Sequence, residues 1–135
     1  MNKIVIDSDV IIDVLSQRQP FFADSAQAIN KVIQSGLQMY IAAHTVTNIY
    51  YILSKQNPRS QVEQQMTTIL DLFSIASITD SIIRNAFYCP MKDFEDAVVS
   101  EAAKSLAAQF ILTRNTKDYQ NAAVPVLNPQ TFLTI

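Results

Sequence analysis

A single glycine stands among the 135 residues, and that scarcity removes whole classes of function. Neither a G-x-G-x-x-G dinucleotide turn nor a P-loop can be written with Gly36 alone. With one cysteine, Cys89, no internal disulfide can form, and nothing ties the chain to an oxidising compartment. No histidine lies near it, so Cys89 reads as a buried or half-buried structural thiol beside Pro90 rather than a nucleophile. The lone histidine, His44, cannot be half of a histidine-rich zinc site and reads as packing or capping at a helix start. No stretch approaches the roughly 20 apolar residues that cross a bilayer. The opening residues up to Asp7 carry too short an apolar run for a signal peptide. The expectation is a soluble, cytoplasmic protein without a membrane partner. Its net charge of −2 argues against a broad basic platform for nucleic acid while allowing a small local one.

What the chain does have is apolar mass: 49% of residues are hydrophobic and 16% charged, the balance of a folded domain and not of a disordered one. Its length is that of one domain, and no repeat or linker divides residues 1–135. Lys3 to Ile6 reads as a buried strand, ended by Asp7-Ser8-Asp9, with a short helix from Val10 to Leu15. A long helix is expected from Phe21 to Ser35, with Ala26, Ile29 and Ile33 on one face and Gly36 as its stop. Gln38 to Ala42, Ile75 to Ile78, Phe110 to Thr113 and Val124 to Leu127 read as further strands, the last at an edge because of Pro125. Helices are expected at Thr45 to Lys55, Ser60 to Phe73, after Thr79-Asp80 and from Asp93 to about Ala108. Such alternation predicts an α/β fold: a mainly parallel central sheet of four to five strands with helices on both faces. Ligands of such sheets bind beyond the carboxyl ends of the strands.

Three acidic clusters stand out, two of them just after strands, where that rule points, and one at a helix start. Asp7 directly follows the first strand, with Asp9 and Asp13 behind it, and Asp9 has the residue type and place of a helix N-cap. Asp93-Phe94-Glu95-Asp96 opens the last long helix, with Asp93 placed to cap it and Asp96 three residues in, followed by Ala97-Val98-Val99. Thr113-Arg114-Asn115-Thr116-Lys117-Asp118-Tyr119 follows another strand. Carboxylates gathered without histidine or cysteine make a hard oxygen site suited to Mg²⁺ or Mn²⁺. Such ions commonly serve phosphate chemistry, and Arg114 and Lys117 could bind the substrate's phosphate backbone.

These segments resemble a known family, the PIN-domain nucleases, over essentially the whole chain. Ile4 to Asp13 is similar to the family's opening strand, Asp, small hydroxyl residue and apolar helix. Asp96 to Ala103 resembles its later acidic helix, and Leu112 to Tyr119 its Thr-Arg-Asn/Asp-x-x-Asp-Phe motif. The resemblance implies a Mg²⁺- or Mn²⁺-dependent ribonuclease, most often the VapC-like toxin of a toxin–antitoxin pair, acting as a homodimer and blocked by its antitoxin. It implies Asp7, Asp96 and Asp118 as catalytic, metal-binding acids, with Asn115 as an auxiliary ligand, Ser8 orienting Asp7 and Asp93 supporting Asp96. One position departs from the pattern: Asn48 stands where the family usually carries a Glu, which removes a charge that Asp9 could supply.

Two further readings stand beside an active RNA-cleaving enzyme. One is a catalytically weakened PIN-fold module that binds RNA or a protein, its chemistry lost at Asn48. The other is a receiver-like or phosphatase-like domain, which leaves the Thr113 to Tyr119 motif without a purpose.

Overall fold

Lys3-Ile4-Val5-Ile6 is β-branched on three of its four residues, and β-branched side chains pack well on a pleated sheet. A computed structural model, which describes residues 2–135, places this segment as β1 (Lys3–Ile6) at the centre of the molecule. Around it lie β2 (Gln38–Ala42), β3 (Ser74–Ala76), β4 (Ile111–Leu112) and β5 (Val126–Leu127), five strands in the order β3-β2-β1-β4-β5. Every pairing is parallel, with Val5 opposite Tyr40 on one side and Ile6 opposite Leu112 on the other. The expected parallel sheet is therefore present, and β5 with its preceding Pro125 is an edge strand.

Helices α1 (Ser8–Leu15), α2 (Phe22–Ser35), α3 (Ala43–Gln56), α4 (Arg59–Leu72), α5 (Asp80–Phe87), α6 (Phe94–Ser105) and α7 (Pro129–Leu133) connect and follow the strands. Strand alternation sorts them into two layers. Ile4, Ile6, Met39, Ile41, Phe110 and Leu112 point to one face, against α1 to α4 and Phe132 of α7. Val5, Ala42, Ala76 and Ile111 point to the other, against Ile82 and Ala86 of α5 and Ala97 to Ala103 of α6. Burying a side chain such as Ile4 or Leu112 fully is worth roughly 1.5–3 kcal/mol, so the central strands carry much of the stability. Among the described residues no helix is long and apolar enough to cross a membrane.

The strand order reverses at β1. The chain moves outward on one side through β2 and β3, then crosses to the other side of β1 for β4 and β5. The carboxyl ends of β1 and β4 consequently flank a crevice at the switch point, where ligands of such sheets bind.

Local expectations hold with three corrections. The buried face of α2 is Ser25, Ala28 and Val32; of the expected face, Ile29 is half-buried against the core, whereas Ile33 is exposed. Ser25 sets that rotation because it donates to the buried Asp13 at 3.0 Å. Asp7, not Asp9, is the N-cap of α1, its side chain accepting from the Ser8 N–H. The third is α7, which the sequence reading leaves out: Asn128 caps it by accepting from the Thr131 N–H at 2.7 Å, and Pro129 opens it.

Candidate active site

The floor of the crevice is Asp7, the residue after β1. Its backbone N–H continues the sheet by donating to the Leu112 carbonyl at 3.0 Å, which fixes its side chain beside the end of β4. Oδ1 accepts from the Ser8 N–H at 2.8 Å. Oδ2 accepts from the Thr113 hydroxyl and from the Tyr119 phenol, each at 3.0 Å. A carboxylate offers about four acceptor positions, so Oδ1 retains capacity toward the crevice. The expected help from Ser8 comes from its backbone N–H, not its hydroxyl.

Asp9 lies one step deeper, and its oxygens serve the protein. Oδ1 accepts from the Val10 N–H at 2.7 Å, while Oδ2 accepts from the Arg114 N–H at 3.0 Å and the Thr113 hydroxyl at 3.2 Å. The side chain thus braces the turn after β4. Burial first, then the Asp7 charge, lifts its carboxyl to about 6, although Arg114 opposes the rise.

Arg114 turns inward. Its Nε and Nη2 donate to the two oxygens of the fully buried Asp13 at 2.6 and 3.0 Å, and its guanidinium stacks over the Phe21 ring at 3.7 Å. Arg18 pairs with the same carboxylate at 3.2 Å. The fork of Arg114, a residue expected to bind substrate, is engaged by Asp13, which needs a cation because it is buried. The hydrogen bonds to Asp13 raise the guanidinium's proton affinity further. Lys117, by contrast, is exposed and has no ion-pair partner among the described residues.

The second wall is the start of α6. Asp93 caps it, Oδ1 accepting from the Asp96 N–H at 2.9 Å. That bond fixes Asp96, three residues inside the cap, on the crevice side of the helix. Its carboxyl is pushed up to about 7, first by burial and then by the charges of Asp7, Asp93, Asp118 and Glu95. Asp118 stands exposed on a 3₁₀ turn (Thr116–Tyr119), whose first bond runs from the Asp118 N–H to the Asn115 carbonyl at 3.0 Å. Asn115 supports the same turn through its N–H, which donates to the Thr113 hydroxyl at 3.1 Å; its side chain is free toward solvent. Asn48 approaches from α3, its Nδ2 donating to Glu95 Oε1 at 2.6 Å.

The crevice therefore collects the charges of Asp7, Asp93, Glu95, Asp96 and Asp118 with no cation among them close enough to hold Asp96 down. Among the described residues no three acid, histidine or cysteine side chains stand preassembled around one point. The donors are nevertheless all oxygen and mutually repelling, the kind of set that a hard divalent cation relieves. Two contributors, Thr113 and Tyr119, escape a search for acids alone, and a third, Asp13, is an acid to which the sequence reading gives no role. Thr113 and Tyr119 lie within the motif from Thr113 to Tyr119, and Asp13 is signalled by an acid set within the apolar run Val10 to Leu15.

Known proteins are similar to this chain in sequence and fold. The ribonuclease VapC1 of Aquifex aeolicus (strain VF5) is 25% identical over 134 residues, which span 96% of this chain and 92% of that protein. The crystal structure of VapBC2 from Rickettsia felis, bound to a DNA fragment from its promoter, contains a chain that superposes with a TM-score of 0.75 at 11% identity, covering 93% of this chain and 98% of that one. A toxin–antitoxin complex from Klebsiella pneumoniae superposes with a TM-score of 0.69 at 24% identity, over 93% and 96% of the respective chains. At these identities the two structures bear on the fold alone. The PIN-domain family model matches residues 3–117, from the first residue of β1 to the one before Asp118. On that match, which takes in both walls of the crevice, the chain belongs to the PIN-domain family.

Proposed function

We propose that this protein is a metal-dependent endoribonuclease that hydrolyses RNA phosphodiester bonds, and the toxin of a toxin–antitoxin pair. The observation that carries the reading is the crevice at the switch point, where burial and then the charges of acids that include Asp7 and Asp118 lift Asp96 to about 7. Uncompensated carboxylates of this kind attract Mg²⁺ or Mn²⁺. Asp7 through its open Oδ1, Asp96 and Asp118 are the residues that would hold the ion. When bound, the ion polarises the phosphoryl oxygen and the attacking water.

The chain's own residues prepare for that chemistry. Thr113 and Tyr119 fix the rotamer of Asp7 from behind, leaving its front to the crevice. Asp93 aligns Asp96 through the helix cap, and Asp9 anchors the turn that carries Asp118. Lys117, at the rim, is the residue placed to attract a phosphate backbone. The similarity to a ribonuclease, and the structural likeness to a chain of a toxin–antitoxin complex, support the substrate class and an antitoxin partner. A homodimer belongs to the same proposal, and sedimentation of the purified chain tests it.

The deciding experiment is cleavage of a fluorogenic single-stranded RNA and a structured RNA by purified protein with Mn²⁺, wild type against Asp96→Asn. Metal-dependent cleavage that disappears in the variant supports the proposal. Equal cleavage by both proteins would sink it, and RNA binding without turnover would favour a weakened binding module.

A further inference from the structure

Asn48 removes the charge that the family resemblance leads one to expect on α3, yet a carboxylate, that of Glu95, is hydrogen-bonded to its amide. His44 and Asn48 are four residues apart, hence on one face of α3, and both reach the same residue across the crevice. Asn48 Nδ2 donates to Glu95 Oε1 at 2.6 Å, a short bond of the kind that a charged acceptor makes. His44 Nε2 lies 3.2 Å from the Glu95 carbonyl oxygen, which can only accept, so this nitrogen carries the proton. His44 Nδ1 is buried without a partner among the described residues.

Glu95 is thus held twice, at its main chain and at its side chain. Holding an exposed Glu in one rotamer costs conformational entropy, and packing offers Glu95 no return because the residue is exposed. Nor does α6 need the contact for its own end, since Asp93 already caps it. The carboxylate that these contacts fix is next to Asp96 and close enough for its charge to act on it.

We infer that Glu95 completes the acidic site in place of the missing α3 acid, and that Asn48 is the positioning residue that aims it. This rests on the metal reading of the preceding section. In the arrangement, Oε1 is fixed by the Asn48 amide and Oε2 is left for the cation. A Glu at position 48 would meet the Glu95 charge at hydrogen-bond distance, so α3 and α6 carry one acid between them, and the chain places it on α6.

The test is Mn²⁺ titration of the full chain by calorimetry, with metal-free thermal unfolding as the control for folding. Glu95→Gln is expected to weaken Mn²⁺ binding about tenfold or more, and Asn48→Ala about tenfold, with little change in metal-free melting. Asn48→Glu alone gains nothing, whereas Asn48→Glu combined with Glu95→Gln regains most of the wild-type affinity, because the acid has changed sides. Wild-type affinity in Glu95→Gln, with binding lost in Asp96→Asn, overturns this inference and leaves the metal site standing. A wild-type protein that binds no Mn²⁺ overturns both.

Discussion

Tyr119 donates its phenol proton to Oδ2 of Asp7 across 3.0 Å, tying the last turn of the site to the end of the first strand. The phenol is buried, and burial followed by the neighbouring Asp7 and Asp96 charges holds it protonated far above the usual range. It is a fixed donor and not a proton carrier. Tyr119→Phe is expected to cost about 1–3 kcal/mol, the range for a buried acceptor that loses its donor. Urea unfolding measures this. Thr113→Val should cost more, since its hydroxyl serves Asp7, Asp9 and the Asn115 N–H together.

The two basic residues of the third motif should separate cleanly. Arg114→Ala strands Asp13, leaving Arg18 as its cation, and is expected to destabilise the protein by about 3–5 kcal/mol. Lys117→Ala should leave the melting temperature within error and weaken RNA binding, with a shallower dependence on salt. Equal stability losses in the two variants would refute the division of labour read from the geometry.

Acidity sets the strength of the site. Asp96 is raised from 3.8 to about 7 and Asp9 from 3.8 to about 6, so the folded chain holds protons that the unfolded chain has released over those intervals. For raised carboxyls the sign is the reverse of the usual one: their contribution to stability is greatest below about pH 4 and falls as pH rises toward 7. Mn²⁺ competes with the proton on Asp96, so its stabilisation should grow over the same interval. Melting with and without Mn²⁺ at pH 5 and pH 8 checks this, and an equal upshift at both would contradict it.

Gly36 supplies a prediction remote from the crevice. It ends α2 at φ 78°, in the left-handed region, and no atom lies within 4 Å of where its Cβ would be. Gly36→Ala therefore meets backbone strain alone and should cost about 1 kcal/mol without affecting Mn²⁺ binding.

Much of this was legible in the sequence because strand and helix ends carry their chemistry locally. The run Lys3 to Ile6, the Gly36 stop and the Asp93 cap each needed only a few neighbours to interpret. The helix face of α2 was not, because Ser25 faces inward for Asp13, a partner twelve residues away that periodicity cannot register. The pairing of Arg114 with Asp13 was not legible for the same reason: an arginine in a polar turn looks solvent-bound until a buried acid 101 residues earlier is known to face it. Asp7 and Asp9 traded capping roles since β1 runs straight into α1 with a single residue between them. The Asn48–Glu95 pair spans 47 residues and joins two helices, so only the fold could reveal it.

The place of β1 at the middle of the sheet has a consequence for synthesis. On one side β1 is flanked by β4, and the Val5 and Asp7 N–H groups donate to the Phe110 and Leu112 carbonyls, which leave the ribosome more than a hundred residues after them. Until Thr113 and Tyr119 emerge, Asp7 has neither of the side-chain donors that fix it. A nascent chain therefore carries Asp7 long before the groups that fix it, and the crevice assembles only once the turn from Thr116 to Tyr119 has been made, so that a chain broken off before Asp118 lacks part of the candidate site.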